Sequence, residues 1–263
     1  MNTNAESAAP TRALGDTTTN TAVSESAGSV SSAAEGAESA AVDSAQAGAE
    51  VGGSELLAAW PHVYRQGAVD RPVLLMLHGT GGTEHDLLGL ADALDPAAAV
   101  LAPRGRVTET GMNRWFRRLT EGVFDLDDVE LRAGQLADFI DAARTHYGLG
   151  DRGLVAVGFS NGANMALATA LRHPSTVARV IAFSGMHPLP GRAAAVSAGA
   201  GALAGTSVLL LNGERDPMAP LASVNALAAE LEEGGAALRQ VRRTGGHGVT
   251  EADVYAAQGW LAG

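Results

Sequence analysis

From Trp60 to the C-terminus, short apolar runs alternate with stretches of helical periodicity, a pattern that confines the chain to a parallel sheet covered by helices. The runs Val73–Leu77, Ala98–Ala102, Leu154–Phe159, Val177–Phe183, Val208–Leu211 and Leu238–Val241 read as strands, and His62–Arg65 as an additional edge strand. Leu136, Phe139, Ile140, Ala143 and Tyr147 recur at helical spacing, as do Leu87, Ala91 and Leu94. Thr83-x-x-Asp86 and Thr250-x-x-Asp253 read as capping boxes, the second opening a C-terminal helix that buries Val254, Ala257 and Leu261. Gly148 and Gly150 mark the end of the helix that precedes the Leu154 strand. The expected fold class is therefore α/β, with a doubly wound, mostly parallel sheet.

The first part of the chain follows another rule. Residues 1–55 are Ala, Ser, Thr, Gly and scattered acids, with Arg12 as the one basic residue and no aromatic residue. Such a segment buries too little apolar surface to offset its ordering entropy, so it is expected to be a disordered acidic tail, with a partner-binding segment or a misplaced start codon as the alternatives. Residues 56–263 then form one catalytic domain, a size that a single core can sustain.

Composition removes several chemistries. All 18 basic residues are arginine, so a Schiff-base lysine, a P-loop lysine and a Ser-x-x-Lys nucleophile are excluded. There is no cysteine, which removes disulfides, thiolate zinc sites and cysteine nucleophiles. A net charge of -11 argues against a nucleic-acid partner. No apolar run approaches the length of a spanning helix and no export signal is evident, so no membrane anchor is expected and the cytoplasm is the simplest location.

The strongest local signal is Gly158-Phe159-Ser160-Asn161-Gly162, directly after an apolar strand and directly before the helical run Ala163 to Ala170. A serine there sits on a tight strand-to-helix turn, its hydroxyl exposed beside a helix N-terminus that favours developing negative charge. In the fold that uses this turn, the acid and then the histidine follow the serine along the chain. From Asn161 to Gly213 there is no Asp or Glu, so His173 and His187 do not satisfy that order, and His247 remains. The acids in between are Glu214, Asp216, Glu230, Glu232 and Glu233, the last three in a stretch that reads as a solvated helix. Asp216 lies in a loop just past the Val208–Leu211 strand, at the kind of strand end where open α/β sheets place function; Glu214 is the substitute. The glycine-rich turn His78-Gly79-Thr80-Gly81-Gly82 follows the Val73–Leu77 strand, and the backbone amides of Thr80 and Asn161 are the expected oxyanion donors. A phosphate-binding loop is the weaker reading of that turn, because no lysine accompanies it.

With these motifs in order, the chain from about Trp60 onward resembles the phospholipase/carboxylesterase family of small α/β-hydrolases, which includes acyl-protein thioesterases and bacterial carboxylesterases. It is most similar to a bacterial branch marked here by Leu77 to Gly82, Arg104-Gly105, Gly111 to Arg118 and Gly122 to Asp125, some members of which are associated with resistance to aromatic compounds. Asn161 stands where thioesterase relatives carry Gln, and the N-terminal segment lies outside the family pattern. The resemblance implies the α/β-hydrolase fold without a large cap, in agreement with the short connection between Phe183 and Val208.

Together these features predict a serine hydrolase cleaving carboxylic esters through Ser160, His247 and Asp216, with no cofactor and no metal. Thioester or lysophospholipid hydrolysis is the neighbouring alternative, and a non-catalytic binding protein on the same fold is the alternative of another class. The expected partner is a small-molecule ester; a homodimer is left open. The segment Pro103 to Asp128 is expected to be an irregular wall of the site, with Trp115, Phe116 and Arg117 lining a substrate pocket. Its arginines, Arg104, Arg106, Arg114, Arg117 and Arg118, read either as salt-bridge partners of Asp125, Asp127, Asp128 and Glu130 or as attractors of an anionic substrate.

Overall fold

Val73–Leu77 (β2) is apolar at every position because both faces of this strand are covered. Val73, Leu75 and Leu77 enter one core cluster, and Leu74 and Met76 enter the other, as the period of two in a strand requires. The computed structural model describes residues 52–120, 122–192 and 201–263. They lie within the unit Ala45–Gly263. The tail expected over 1–55 falls outside the described residues as far as residue 51, while a helical segment over 52–58 (α1) runs across the expected boundary and buries Leu57.

The central sheet has seven strands in the order β1-β3-β2-β8-β9-β10-β11. These are His62–Arg65 (β1), β2, Ala99–Pro103 (β3), Leu154–Phe159 (β8), Arg179–Phe183 (β9), Ser207–Gly213 (β10) and Ala237–Arg243 (β11). Only β1 is antiparallel, pairing with β3 at the edge as expected. The predicted run Val177–Phe183 starts two residues late, because Val177 still belongs to the turn in which its amide donates to the His173 carbonyl.

Helices cover both faces. Leu126–His146 (α3), Asn161–Arg172 (α4) and Leu221–Glu233 (α5) bury their apolar residues in the first cluster. Leu88–Leu94 (α2) and Glu251–Leu261 (α6) pack on the second. In α6 only Ala257 of the three expected residues is fully buried, with Val254 and Leu261 packed at the margin. The capping box at Thr250 and Asp253 is present. The one expected at Thr83 and Asp86 does not open a helix. Thr83 Oγ1 donates to Asp86 Oδ1 at 2.6 Å within a turn, and α2 begins only at Leu88, without a side-chain cap.

The segment expected to be irregular contains two small antiparallel ribbons: Val107–Glu109 (β4) with Met112–Arg114 (β5), and Arg118–Thr120 (β6) with Val123–Phe124 (β7). No helix among the described residues is long and apolar enough to cross a membrane.

The strand order places the site. The chain runs outward from β2 to β3, then returns across β2 to enter β8 on its other side, so the loops after β2 and β8 diverge around a crevice at their carboxyl ends. Ligands of open α/β sheets bind at such a switch point.

Candidate active site

Ser160 is the residue between β8 and α4, and its backbone adopts φ 54°, ψ -116°. A non-glycine residue with positive φ costs on the order of 1–3 kcal/mol and persists only where its surroundings enforce it. Here the Ser160 amide donates to the Phe183 carbonyl at 2.9 Å, and the Ser160 carbonyl accepts from the Asn164 amide at 3.0 Å to start α4. The flanking glycines have steric reasons. A Cβ on Gly162 would lie 2.0 Å from the Leu77 carbonyl oxygen, and one on Gly158 would lie 2.4 Å from the Gly162 carbonyl oxygen. The first turn of α4 is thus pressed directly onto the end of β2.

Asp216 and His247 are brought together from the ends of β10 and β11. His247 Nδ1 and Asp216 Oδ2 are 2.8 Å apart, and the Asp216 side chain is fully buried. Its other oxygen, Oδ1, accepts from the amides of Met218 at 2.8 Å and Ala219 at 3.2 Å. With both oxygens committed, the carboxylate is held to one rotamer. Glu214 is exposed, and its backbone amide donates to the Arg243 carbonyl, so Asp216 and not Glu214 partners His247. The His247 ring lies 5.2 Å from the Phe159 ring, centroid to centroid, which sets it against the residue preceding Ser160. His187, set aside on chain order, is buried 2.7 Å from Glu230 instead.

The turn after β2 is held by the β4–β5 ribbon. The Gly81 amide donates to the Asn113 carbonyl at 2.8 Å, Asn113 Nδ2 to the Gly82 carbonyl at 2.9 Å, and Arg114 Nη1 to Thr80 Oγ1 at 3.1 Å. His78 is buried, and its Nε2 accepts from the Gly105 amide at 2.9 Å, so the proton sits on Nδ1 and goes to the Gly79 carbonyl at 2.7 Å. Burial holds the His78 pKa below its ordinary value, in keeping with a neutral ring. Thr80 is exposed on this turn. Asn161 is the first residue of α4, so its amide is among those a helix leaves without an internal acceptor.

The expected pocket residues divide differently. Trp115 and Phe116 are 2 % and 0 % exposed and belong to the core cluster, so neither lines an open pocket. Trp115 instead ties the site together: its Nε1 donates to the His78 carbonyl at 2.8 Å, and its amide donates to Asn161 Oδ1 at 2.8 Å. Arg117 is exposed and pairs with Asp125 at 2.9 Å. The remaining arginines are engaged too. Arg104 forms a fork onto Glu84 at 2.5 and 2.6 Å, Arg114 and Arg118 approach Glu109, and Arg106 lies over the Trp60 ring. Salt bridging thus prevails, with Glu84 and Glu109 as partners beyond the acids expected. Among the described residues no group of three or more His, Asp or Glu side chains is arranged to hold a metal ion.

A family model described as Phospholipase/Carboxylesterase matches residues 59–258. A Bacillus subtilis protein, MhqD, whose name describes a hydrolase, is 40% identical over 200 residues, 76% of this chain and 96% of its own length. The crystal structure of a Bacillus cereus carboxylesterase superposes with a TM-score of 0.73 at 38% identity, covering 78% of this chain and 94% of that one. That of a carboxylesterase from Mesorhizobium loti gives 0.70 at 28% identity, covering 78% and 95%.

Proposed function

Since the chain belongs to the phospholipase/carboxylesterase family, we propose that it is a serine esterase, cleaving carboxylic esters through an acyl-enzyme on Ser160. The observation that carries this reading is the 2.8 Å contact between His247 Nδ1 and the buried Asp216 carboxylate, with the same imidazole packed on Phe159 beside Ser160. Because an ionised carboxylate only accepts, Nδ1 carries the proton, and Nε2 presents a lone pair. Nε2 removes the Ser160 proton as Oγ attacks the ester carbonyl, and Asp216 stabilises the imidazolium that results. The amides of Thr80 and Asn161 receive the oxyanion, and His247 returns its proton to the departing alcohol. Water, activated by the same imidazole, then releases the acid. No cofactor takes part in this sequence.

The test pairs a fluorophosphonate probe with a panel of p-nitrophenyl esters of graded acyl length. Wild-type protein is expected to label at Ser160 and turn over the esters. Ser160→Ala and His247→Ala should lower kcat by up to ~10⁶ while remaining folded. Near-normal turnover in either folded variant removes the triad, and absence of both labelling and turnover in the wild type points to a binding protein on the same fold.

A further inference from the structure

We propose that Arg243 is the positioning residue for His247, clamping the backbone on both sides of it so that the imidazole faces Ser160. This rests on the reading of His247 as the base. Arg243 ends β11, four residues before His247. Its Nη1 donates to the Gly246 carbonyl at 2.8 Å and its Nη2 to the Gly248 carbonyl at 2.6 Å, the residues immediately before and after His247. Its Nε donates to Asp253 Oδ2 at 2.8 Å, and the Asp253 side chain is only 2% exposed at the start of α6. One planar guanidinium thus joins a strand end, both flanks of the histidine and a helix N-terminus.

The loop needs such a clamp. Gly245, Gly246 and Gly248 surround His247, so the segment has almost no side chains of its own to pack and the largest backbone freedom to lose. Close approach accounts for Gly245 in this loop and for Gly213 beside it, whereas Gly248 is needed for its φ of 151°. A Cβ on Gly245 would meet Arg243 Nη1 at 2.3 Å, and one on Gly213 would meet the Gly246 carbonyl oxygen at 2.4 Å. Backbone is packed on backbone, and the guanidinium fills the space that side chains would otherwise occupy. Ser184 Oγ adds a contact to the Gly248 carbonyl at 3.0 Å on the other side, but it touches only one flank. Asp216 orients the ring through Nδ1, and Arg243 fixes where the ring is attached. Lysine does not replace it, since a point ammonium does not span two carbonyls and a carboxylate as a fork does.

A displacement of about 1 Å in a reacting group costs roughly 10²-fold in rate. Arg243→Gln is therefore expected to lower kcat on a p-nitrophenyl ester about 10- to 100-fold with KM within about twofold. Arg243→Ala should regain turnover in millimolar guanidinium chloride, at concentrations that leave wild type unchanged. Ile140→Val supplies the structural control: it removes a buried methyl group from the core under α3, lowers the melting temperature by a few degrees, and leaves kcat near wild type. A folded Arg243→Gln with kcat within twofold of wild type overturns the proposal, as does a loss that Ile140→Val reproduces at the same melting temperature. Should Gln and Ala not fold, Arg243→Lys retains the charge and is expected to lose at least several-fold in kcat; full turnover in it overturns the clamp. Ser160→Ala, measured alongside, separates the two ideas. Its retained activity would remove the esterase reading, whereas an inactive Ser160→Ala beside wild-type-like Arg243 variants removes only the clamp.

Discussion

Replacing Asp216 by Asn keeps the shape of the side chain and changes what it offers to three donors. Oδ1 accepts from the Met218 and Ala219 amides at 2.8 and 3.2 Å, and Oδ2 faces His247 Nδ1 at 2.8 Å, in a side chain that water does not reach. Turning the amide so that its oxygen faces His247 strands two buried backbone donors, at about 1–3 kcal/mol each, or roughly 2–6 kcal/mol together. The other orientation keeps both amides satisfied and points the NH₂ at Nδ1, which must then accept, moving the ring proton to Nε2. The second orientation wins, since neutral imidazole changes tautomer for far less. It also disarms the base, because Nε2 no longer has a lone pair for Ser160. The expected loss in kcat is ~10⁴, equivalent to about 5.4 kcal/mol of barrier at 1.36 kcal/mol per decade. Turnover of p-nitrophenyl acetate, with the melting temperature recorded for each variant, measures it. Glu214→Gln, on an exposed side chain, is expected to stay within about twofold. A folded Asp216→Asn within tenfold of wild type, or a larger loss in Glu214→Gln, refutes the reasoning.

Two further outcomes concern the frame around the site. Gly162→Ala drives a Cβ to 2.0 Å from the Leu77 carbonyl oxygen and 2.5 Å from that of His78, so backbone must move; a loss of about 3 kcal/mol, or roughly 6–12 °C in melting temperature, is expected by thermal denaturation. A variant as stable as wild type would show that α4 is not pressed on β2. The Glu84 carboxyl is held at about 2 instead of the ordinary 4.5, chiefly by the hydrogen bonds from Arg104. A depressed carboxylate stabilises the fold fully above pH 4.5 and loses that contribution as pH falls toward 2. The difference in melting temperature between wild type and Arg104→Met should therefore hold from pH 7 to 5 and close below 4.5; a gap unchanged at pH 3 would refute the pairing.

The α/β architecture and the pairing of Asp216 with His247 were readable from the chain because both left marks in the sequence itself. A strand buried on both faces must be apolar throughout, as Val73–Leu77 is, and an empty stretch without acids between Asn161 and Gly213 leaves little choice of partner for His247. Gly158 and Gly162 announced a tight turn, and the strained Ser160 backbone is its physical counterpart. Boundaries drifted by a residue or two where a turn competes with a strand, as at Val177.

Long-range contacts decided the rest. Trp115 and Phe116 sit in a segment without clear periodicity, and an aromatic pair there reads equally well as a pocket wall or as core. Burial is settled by residues far along the chain: Trp115 meets the His78 carbonyl 37 positions away and Asn161 Oδ1 46 positions away. The short β4–β5 ribbon was equally hidden, since three-residue strands carry no usable alternation, yet it supports the turn bearing Thr80. Nothing in the sequence separates Arg243 from the other arginines. Its contacts with both flanks of His247 depend on the parallel register of β10 and β11, which sets Gly213 beside Arg243, and on the packing of α6, which puts a buried carboxylate within reach. A sequence specifies which groups are available and in what order; which donor finds which acceptor depends on surfaces that come together only when the sheet and its helices close around them.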